Sequence, residues 1–140
     1  MGYLTEIKVR GYHADFYGHV NNARFLEFLE EDRWALFDSR IDLPRWAAQG
    51  LVFLVVNINI NYRKALGVGE TILVSTVLEK VGTKSGVLRQ EIVLQGTGEI
   101  VADALVKFVI GDSTGKAVVM EGALLREIRK LEKSGAVALD

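Results

Sequence analysis

Between Asp15 and Asn22 the chain reads Asp-Phe-Tyr-Gly-His-Val-Asn-Asn. A carboxylate (Asp15), an imidazole (His19) and two carboxamides (Asn21, Asn22) thus stand within one short polar stretch, and the residues after it take on helical periodicity. A helix start offers unpaired N–H groups and partial positive charge. A carbonyl oxygen held on those groups is polarised. A carboxylate beside it can attack the carbonyl carbon, or draw a proton from a water that attacks it. That is a geometry for acyl transfer. Each residue also has a plainer use. Asp15 can satisfy turn amides, as loop aspartates do. His19 can be an ordinary hydrogen-bonding loop residue, or it can orient a substrate or share a proton. His13 is the only other histidine. Any zinc site would have to be His13, Asp15 and His19, and no metal is expected.

The elements around this stretch must hold it in place. Tyr3, Thr5, Ile7 and Val9 alternate with Glu6, Lys8 and Arg10, the pattern of a half-buried strand that Gly11 ends. Residues 23–38 switch to helical period. Phe25, Phe28, Leu29 and Leu36 form one stripe, with Glu27, Glu31 and Trp34 opposite. Asn21 or Asn22 suits the N-cap, and a loop or short turn containing Pro44 is expected over 39–50. Strands follow at 51–63, 71–81, 87–95 and 99–110, separated by glycine-containing turns, with a short further strand at 116–120. The short connections predict antiparallel hairpins between successive strands. Ile100, Ala102, Ala104, Val106, Phe108 and Ile110 make one apolar face with small residues at its centre, which leaves room for the long helix. Leu124, Leu125, Ile128 and Leu131 stripe a final amphipathic helix that stops near Gly135. The fold class expected is α+β, an antiparallel sheet curled around one central helix.

Composition narrows the rest. With 140 residues the chain is one domain, 1–140, large enough to bury a core. Its formal charge of −1 gives no global case for nucleic acid or an anionic membrane as partner. The absence of cysteine removes disulfides, thiol catalysis and thiolate metal sites. No segment fits a secretory leader or a membrane span, so a cytoplasmic location is expected.

The run Asp15-Phe-Tyr-Gly18-His19-Val20-Asn21-Asn22, followed by Phe25, Glu30 and Arg33, resembles the opening signature of the hotdog-fold acyl-CoA thioesterases of the 4-hydroxybenzoyl-CoA thioesterase group. The broader likeness covers nearly the whole chain and includes Ile60-Asn-Tyr62-Arg-Lys-Ala65 and Val68-Gly69-Glu70. The resemblance implies a hotdog fold: a curved antiparallel sheet of about five strands around a long central helix, plus the C-terminal amphipathic helix. It implies that Asp15 is the catalytic carboxylate, as nucleophile or as base toward water. It places Asn22 where a backbone N–H at the helix start polarises the thioester carbonyl. Gly18 would let the chain turn close to the substrate, and His19 would support. It implies no metal or organic cofactor, and a homodimer or homotetramer with the site at a subunit interface, the coenzyme A tail lying on the partner.

Coenzyme A carries phosphates, so cations are expected near its tail. Arg63, Lys64, Lys84 and Arg89 are candidates, with Thr83 and Ser85 able to reach a pantetheine or phosphate. Gly18, Asn21 and Tyr62 complete the substrate-binding set. As bare sequence the charges are equally ordinary hairpin charges, and Asn57, Asn59 and Asn61 suit either an exposed face or an interface. A hydratase or dehydratase acting on acyl thioesters, or a non-catalytic acyl-CoA binding module, is the alternative within this fold, and a carrier-protein thioester is the alternative substrate. Four positions depart from the family pattern. His13 stands where an acid is common, Ala14 where Thr, Met or Cys is common, and Ala65 where Pro is frequent. Asp32 replaces a small apolar residue and falls on the apolar stripe. There it needs a partner, with Arg33 or an arginine across an interface as candidates, unless it faces a polar acyl pocket.

Overall fold

The computed structural model describes residues 3–132. Strand β1 (Tyr3–Lys8) leads through a 3-10 turn at Gly11–His13 to the long helix α1 (Asn22–Arg40). A short helix α2 (Leu43–Ala48) follows, then β2 (Val52–Tyr62), β3 (Thr71–Val81), β4 (Gly86–Leu94) and β5 (Ile100–Gly111), and helix α3 (Gly122–Arg129). The strands form one antiparallel five-stranded sheet in the order β1-β3-β4-β5-β2.

The sheet curls around α1 as the apolar stripe requires. Phe25, Phe28, Leu29, Leu36 and Phe37 of the helix are buried against Ile72 and Val74 of β3, Leu88 and Ile92 of β4, and the inward face of β5. On β5 that face is buried from Ala102 to Ile110, while Ile100 at the strand's start is exposed. The helix backbone lies nearest to β1, β3 and β4. On the β5–β2 side aromatic rings span the gap, Phe37 against Phe53 at 4.4 Å and Phe53 stacked on Phe108 at 4.6 Å.

Three expectations are corrected. Successive strands 51–63 and 71–81 do not form a hairpin. β2 pairs with β5 and β3 pairs with β1, so β2 and β3 stand at opposite sides of the sheet. Residues 63–70 are therefore a crossing rather than a turn. The 39–50 segment contains a helix: Asp42 caps α2 by accepting the Arg45 N–H at 3.1 Å, and Pro44 sits in its first turn, where a missing N–H costs nothing. Residues 116–120 form no strand. They make an isolated bridge from Ala117 to Gly111, with the Val118 N–H donating to the Ile110 carbonyl at 2.9 Å, and then run to the β3–β4 turn, where the Met120 N–H meets the Thr83 carbonyl at 2.8 Å. The expected helix stop near Gly135 lies outside the described residues.

Asp32 does not pair with Arg33. It is held by the hydroxyls of Thr5 and Thr76, while Arg33 donates to the Gln90 side chain at 3.0 Å.

Gly86 shows how tightly the sheet closes on its core. A Cβ there would stand 2.7 Å from Cε2 of the buried Phe108 and 3.2 Å from the Lys80 carbonyl oxygen. Overpacking of this kind costs about 1–3 kcal/mol. Gly86→Ala is expected to lower the unfolding free energy by that amount in urea titrations, and an unchanged free energy would show that the ring has room to move.

Candidate active site

The stretch 9–22 is a loop between β1 and α1, pinned from outside by the 63–70 crossing. The Val20 N–H donates to the Leu66 carbonyl at 2.8 Å, the Val9 N–H to Glu70 at 2.8 Å, and His19 bridges Gly67. Within the loop the Gly18 N–H donates to the Asp15 carbonyl at 3.0 Å, and the Asp15 N–H to the His19 carbonyl at 2.9 Å. This tight turn needs φ +81° at Gly18, a conformation that L side chains rarely adopt. No atom crowds Gly18, so the glycine serves the backbone angle.

Asn21 is the N-cap of α1. Its Oδ1 accepts the Ala23 N–H at 2.9 Å, and its carbonyl accepts the Arg24 N–H at 2.9 Å. The Asn22 N–H is left without a protein acceptor among the described residues. It is thus available at the positive end of a 19-residue helix. The Asn22 carbonyl accepts the Tyr62 hydroxyl at 3.2 Å, and the Tyr62 ring meets Phe25 edge-on at 5.2 Å. These contacts fix the last residue of β2 against the helix start.

A cleft of about 380 Å³ opens here, lined by Asp15, His19, Asn22, Tyr62, Arg63 and Lys64, with Tyr17, Val20, Phe25 and Ala65 completing its walls. Asp15 and His19 are exposed. The plainer role of Asp15 is realised, since Oδ1 accepts the Tyr17 N–H at 2.9 Å. That bond leaves Oδ2 without a protein partner among the described residues and holds the carboxylate in one rotamer at the cleft. Polar walls over the buried Val20 and Phe25 suit a ligand with a polar reacting group.

Two cations lie at the cleft. Arg63 meets Asp103 through Nε at 2.7 Å and Nη2 at 3.4 Å, and Asn61 donates to the same carboxylate at 3.0 Å. The hydrogen bonds from Arg63 and then Asn61 hold the Asp103 carboxyl below the usual carboxylate range. Lys64 lies 3.7 Å from Glu99.

The other predicted residues are not gathered here within one chain. Thr83, Lys84 and Ser85 form the β3–β4 turn, at the opposite end of the sheet from Tyr62. Gly86 stands level with Phe108 and Ile92 level with Ala102, roughly 20 Å apart along the strand. Arg89 pairs with Glu79 at 3.1 Å and lines a separate cleft with Asn59 and Asn61. His13 is separate from Asp15 and His19. Its Nδ1 accepts the Arg10 N–H at 2.8 Å, its ring contacts Phe28, and it lines another cleft. Burial, with Arg24 and Arg10 nearby, holds the imidazole below its ordinary value. Asp103, which aims Arg63, was missed from sequence. Its place opposite Asn61 comes from the β2–β5 register, which no linear motif carries.

The profile of the thioesterase-like superfamily matches residues 9–128. The chain is 45% identical over 130 residues to the long-chain acyl-CoA thioesterase FadM of Escherichia coli, covering 92% of this chain and 98% of that protein. The crystal structure of the probable thioesterase YbaW from Escherichia coli superposes with a TM-score of 0.86 at 45% identity, covering 92% of this chain and 98% of that one. A 1,4-dihydroxy-2-naphthoyl-CoA thioesterase from Synechocystis shares the fold, with a TM-score of 0.82 at 15% identity, over 95% and 96% of the two chains.

Replacing Asn21 separates the cap from the chemistry. Asn21→Ala is expected to lose about 1 kcal/mol of stability, while Asn21→Ser retains most of it. Urea unfolding measures both, and equal stabilities would mean that the cap contributes nothing.

Proposed function

The chain belongs to the thioesterase-like superfamily, and we propose that its reaction is hydrolysis of a long-chain acyl-CoA in the Asp15 cleft. One observation carries the placement: a carboxylate oxygen and an unpaired helix-start N–H share one cleft with two cations. In this reading the thioester oxygen accepts the Asn22 N–H, and the helix dipole stabilises the charge that develops there. Asp15 attacks the carbonyl carbon to give an acyl-aspartyl anhydride that water then cleaves, or it takes a proton from the attacking water. Either way the sulfur of coenzyme A leaves as thiol and the acyl group leaves as the acid. His19 stands beside the turn to support the substrate. Arg63 and Lys64 meet phosphate, for which their exposed acidic partners compete only weakly. No cofactor enters the reaction.

The working unit in this reading is a homodimer with the cleft at its interface. Three features support it. β2 is an edge strand of 11 residues. Its side chains Val52, Val55 and Val56 are exposed, and Phe16 beside Asp15 is 95% exposed. An apolar edge with free backbone groups is a template for a second copy. A partner would also explain how Thr83, Lys84 and Ser85, remote from Asp15 in their own chain, come to lie along a coenzyme A tail.

Asp15→Asn is expected to lower kcat on a long-chain acyl-CoA by roughly 10²–10⁴-fold with thermal stability near that of the parent. The readout is free thiol, followed with a thiol-reactive dye over short, long, branched and aromatic acyl-CoAs. Near-full activity in the variant would sink the assignment. Val56→Glu is expected to give a monomer in size-exclusion chromatography with light scattering, with activity lost in step. An active monomer would remove the interface from the site.

A further inference from the structure

Among the described residues Asp32 and Arg33 are the buried charged side chains, adjacent on α1, and the reaction above uses neither. Asp32 is fully enclosed yet has no cation against it. Its Oδ1 accepts the hydroxyl of Thr5 in β1 at 2.5 Å, and its Oδ2 accepts the hydroxyl of Thr76 in β3. Gln90 in β4 donates Nε2 to Thr76 Oγ1 at 2.7 Å and to the Leu29 carbonyl at 2.9 Å, and it accepts from Arg33 at 3.0 Å. One carboxyl group thus sits where α1, β1 and β3 meet.

Stability alone does not account for this arrangement, because an apolar residue of similar volume often serves a core as well or better. Position does account for it. β1 and α1 are the two elements that bracket the Asp15 loop. The Thr5–Asp32 bond is, among the described residues, the one side-chain hydrogen bond that ties them together. We propose that Asp32 is a positioning residue: by clasping Thr5 it fixes β1 against α1 and so sets Asp15 at working distance from the Asn22 N–H. The proposal rests on the reading of the Asp15 cleft as the reaction centre.

The clasp carries a pH signature. Burial pushes the Asp32 carboxyl up from 3.8 to about 6, against the opposing pull of the Thr5 and Thr76 hydroxyls. From α1 the charged neighbour is Arg33. β3 and β4 present the neutral Thr76 and Gln90, and β1 presents the neutral Thr5, with Glu6 and Lys8 on its exposed side. The C-terminal turn packed on α1 and β3 buries Leu131. The cleft that Thr5 adjoins holds His13, Glu27 and Glu31. A carboxyl whose pKa is raised by folding favours the fold most below its ordinary value, and this contribution is lost as pH rises through about 6.

Two measurements test the proposal. The first is the Tm difference between the parent and Asp32→Asn. It should shift against the parent as pH rises through about 6, since the amide cannot ionise, and the midpoint of that shift should move to higher pH in a Thr5→Val background, which lacks one hydroxyl bond to the carboxylate; an unmoved midpoint overturns the clasp. The second is kinetics at a temperature well below Tm. Thr5→Val is expected to lower kcat on a long-chain acyl-CoA about tenfold with KM retained, and Thr5→Ser to restore it. A lower Tm with kcat unchanged in Thr5→Val overturns the positioning role and leaves a merely structural tie. Thr5 keeps the test available should Asp32 variants fail to fold. The two readings fail separately. Full activity in Asp15→Asn overturns the reaction centre, whereas an inactive Asp15→Asn beside a fully active Thr5→Val overturns the positioning role alone.

Discussion

A helix start can polarise a carbonyl only if its first N–H stays unpaired and its position stays fixed. Here both conditions depend on the crossing at 63–70. Its backbone takes the Val9 and Val20 N–H groups and bridges His19, so the loop is held at both ends. The crossing is itself held, through the fully buried Leu66 and through the Glu70 carboxylate, which accepts the Gly67 N–H at 2.7 Å. Because these bonds satisfy the loop from outside, the Asn22 N–H is not needed to close the turn.

The same crossing sets the electrostatics of the cleft. It begins at Tyr62, so Arg63 and Lys64 leave the sheet beside the helix start. Asp103, itself held by the Asn61 amide, then aims Arg63. An exposed ion pair of this kind contributes little to folding. In the proposed reaction its value is that the guanidinium is already oriented for an anionic substrate, which reduces the freedom lost on binding.

Below the cleft, the core mixes dense apolar packing with one polar chain of bonds. Among the described residues no buried side-chain nitrogen or oxygen lacks a partner. A fully satisfied buried network resists sliding in a way that apolar contacts do not, because each shift would break a bond in a medium of low dielectric. The helix therefore has one register against the sheet.

Much of this was legible in the residues themselves. The Asp15–Asn22 run, the alternation of β1, the helical stripe from Phe25 to Leu36 and the four strands between 51 and 111 depend on neighbours in the chain, and these appear where their patterns place them, whereas the expected strand at 116–120 does not form. Asp42 before Pro44 was a readable helix start that the loop expectation over 39–50 passed over. The order of the strands was not legible, because the same alternation serves an edge or a centre and adjacent strands need not pair. Nor were the two threonines that meet Asp32, since they come from β1 and β3, far from it in sequence. The separation of Thr83–Ser85 from Asp15 belongs with these. The sequence by itself determined the Asp15–Asn22 turn, the helix start and the elements that carry them, because turn chemistry and periodicity are local. Only the tertiary structure decided which groups share the cleft and what holds Asp32, because those depend on pairings between segments that meet only when the sheet closes around the helix.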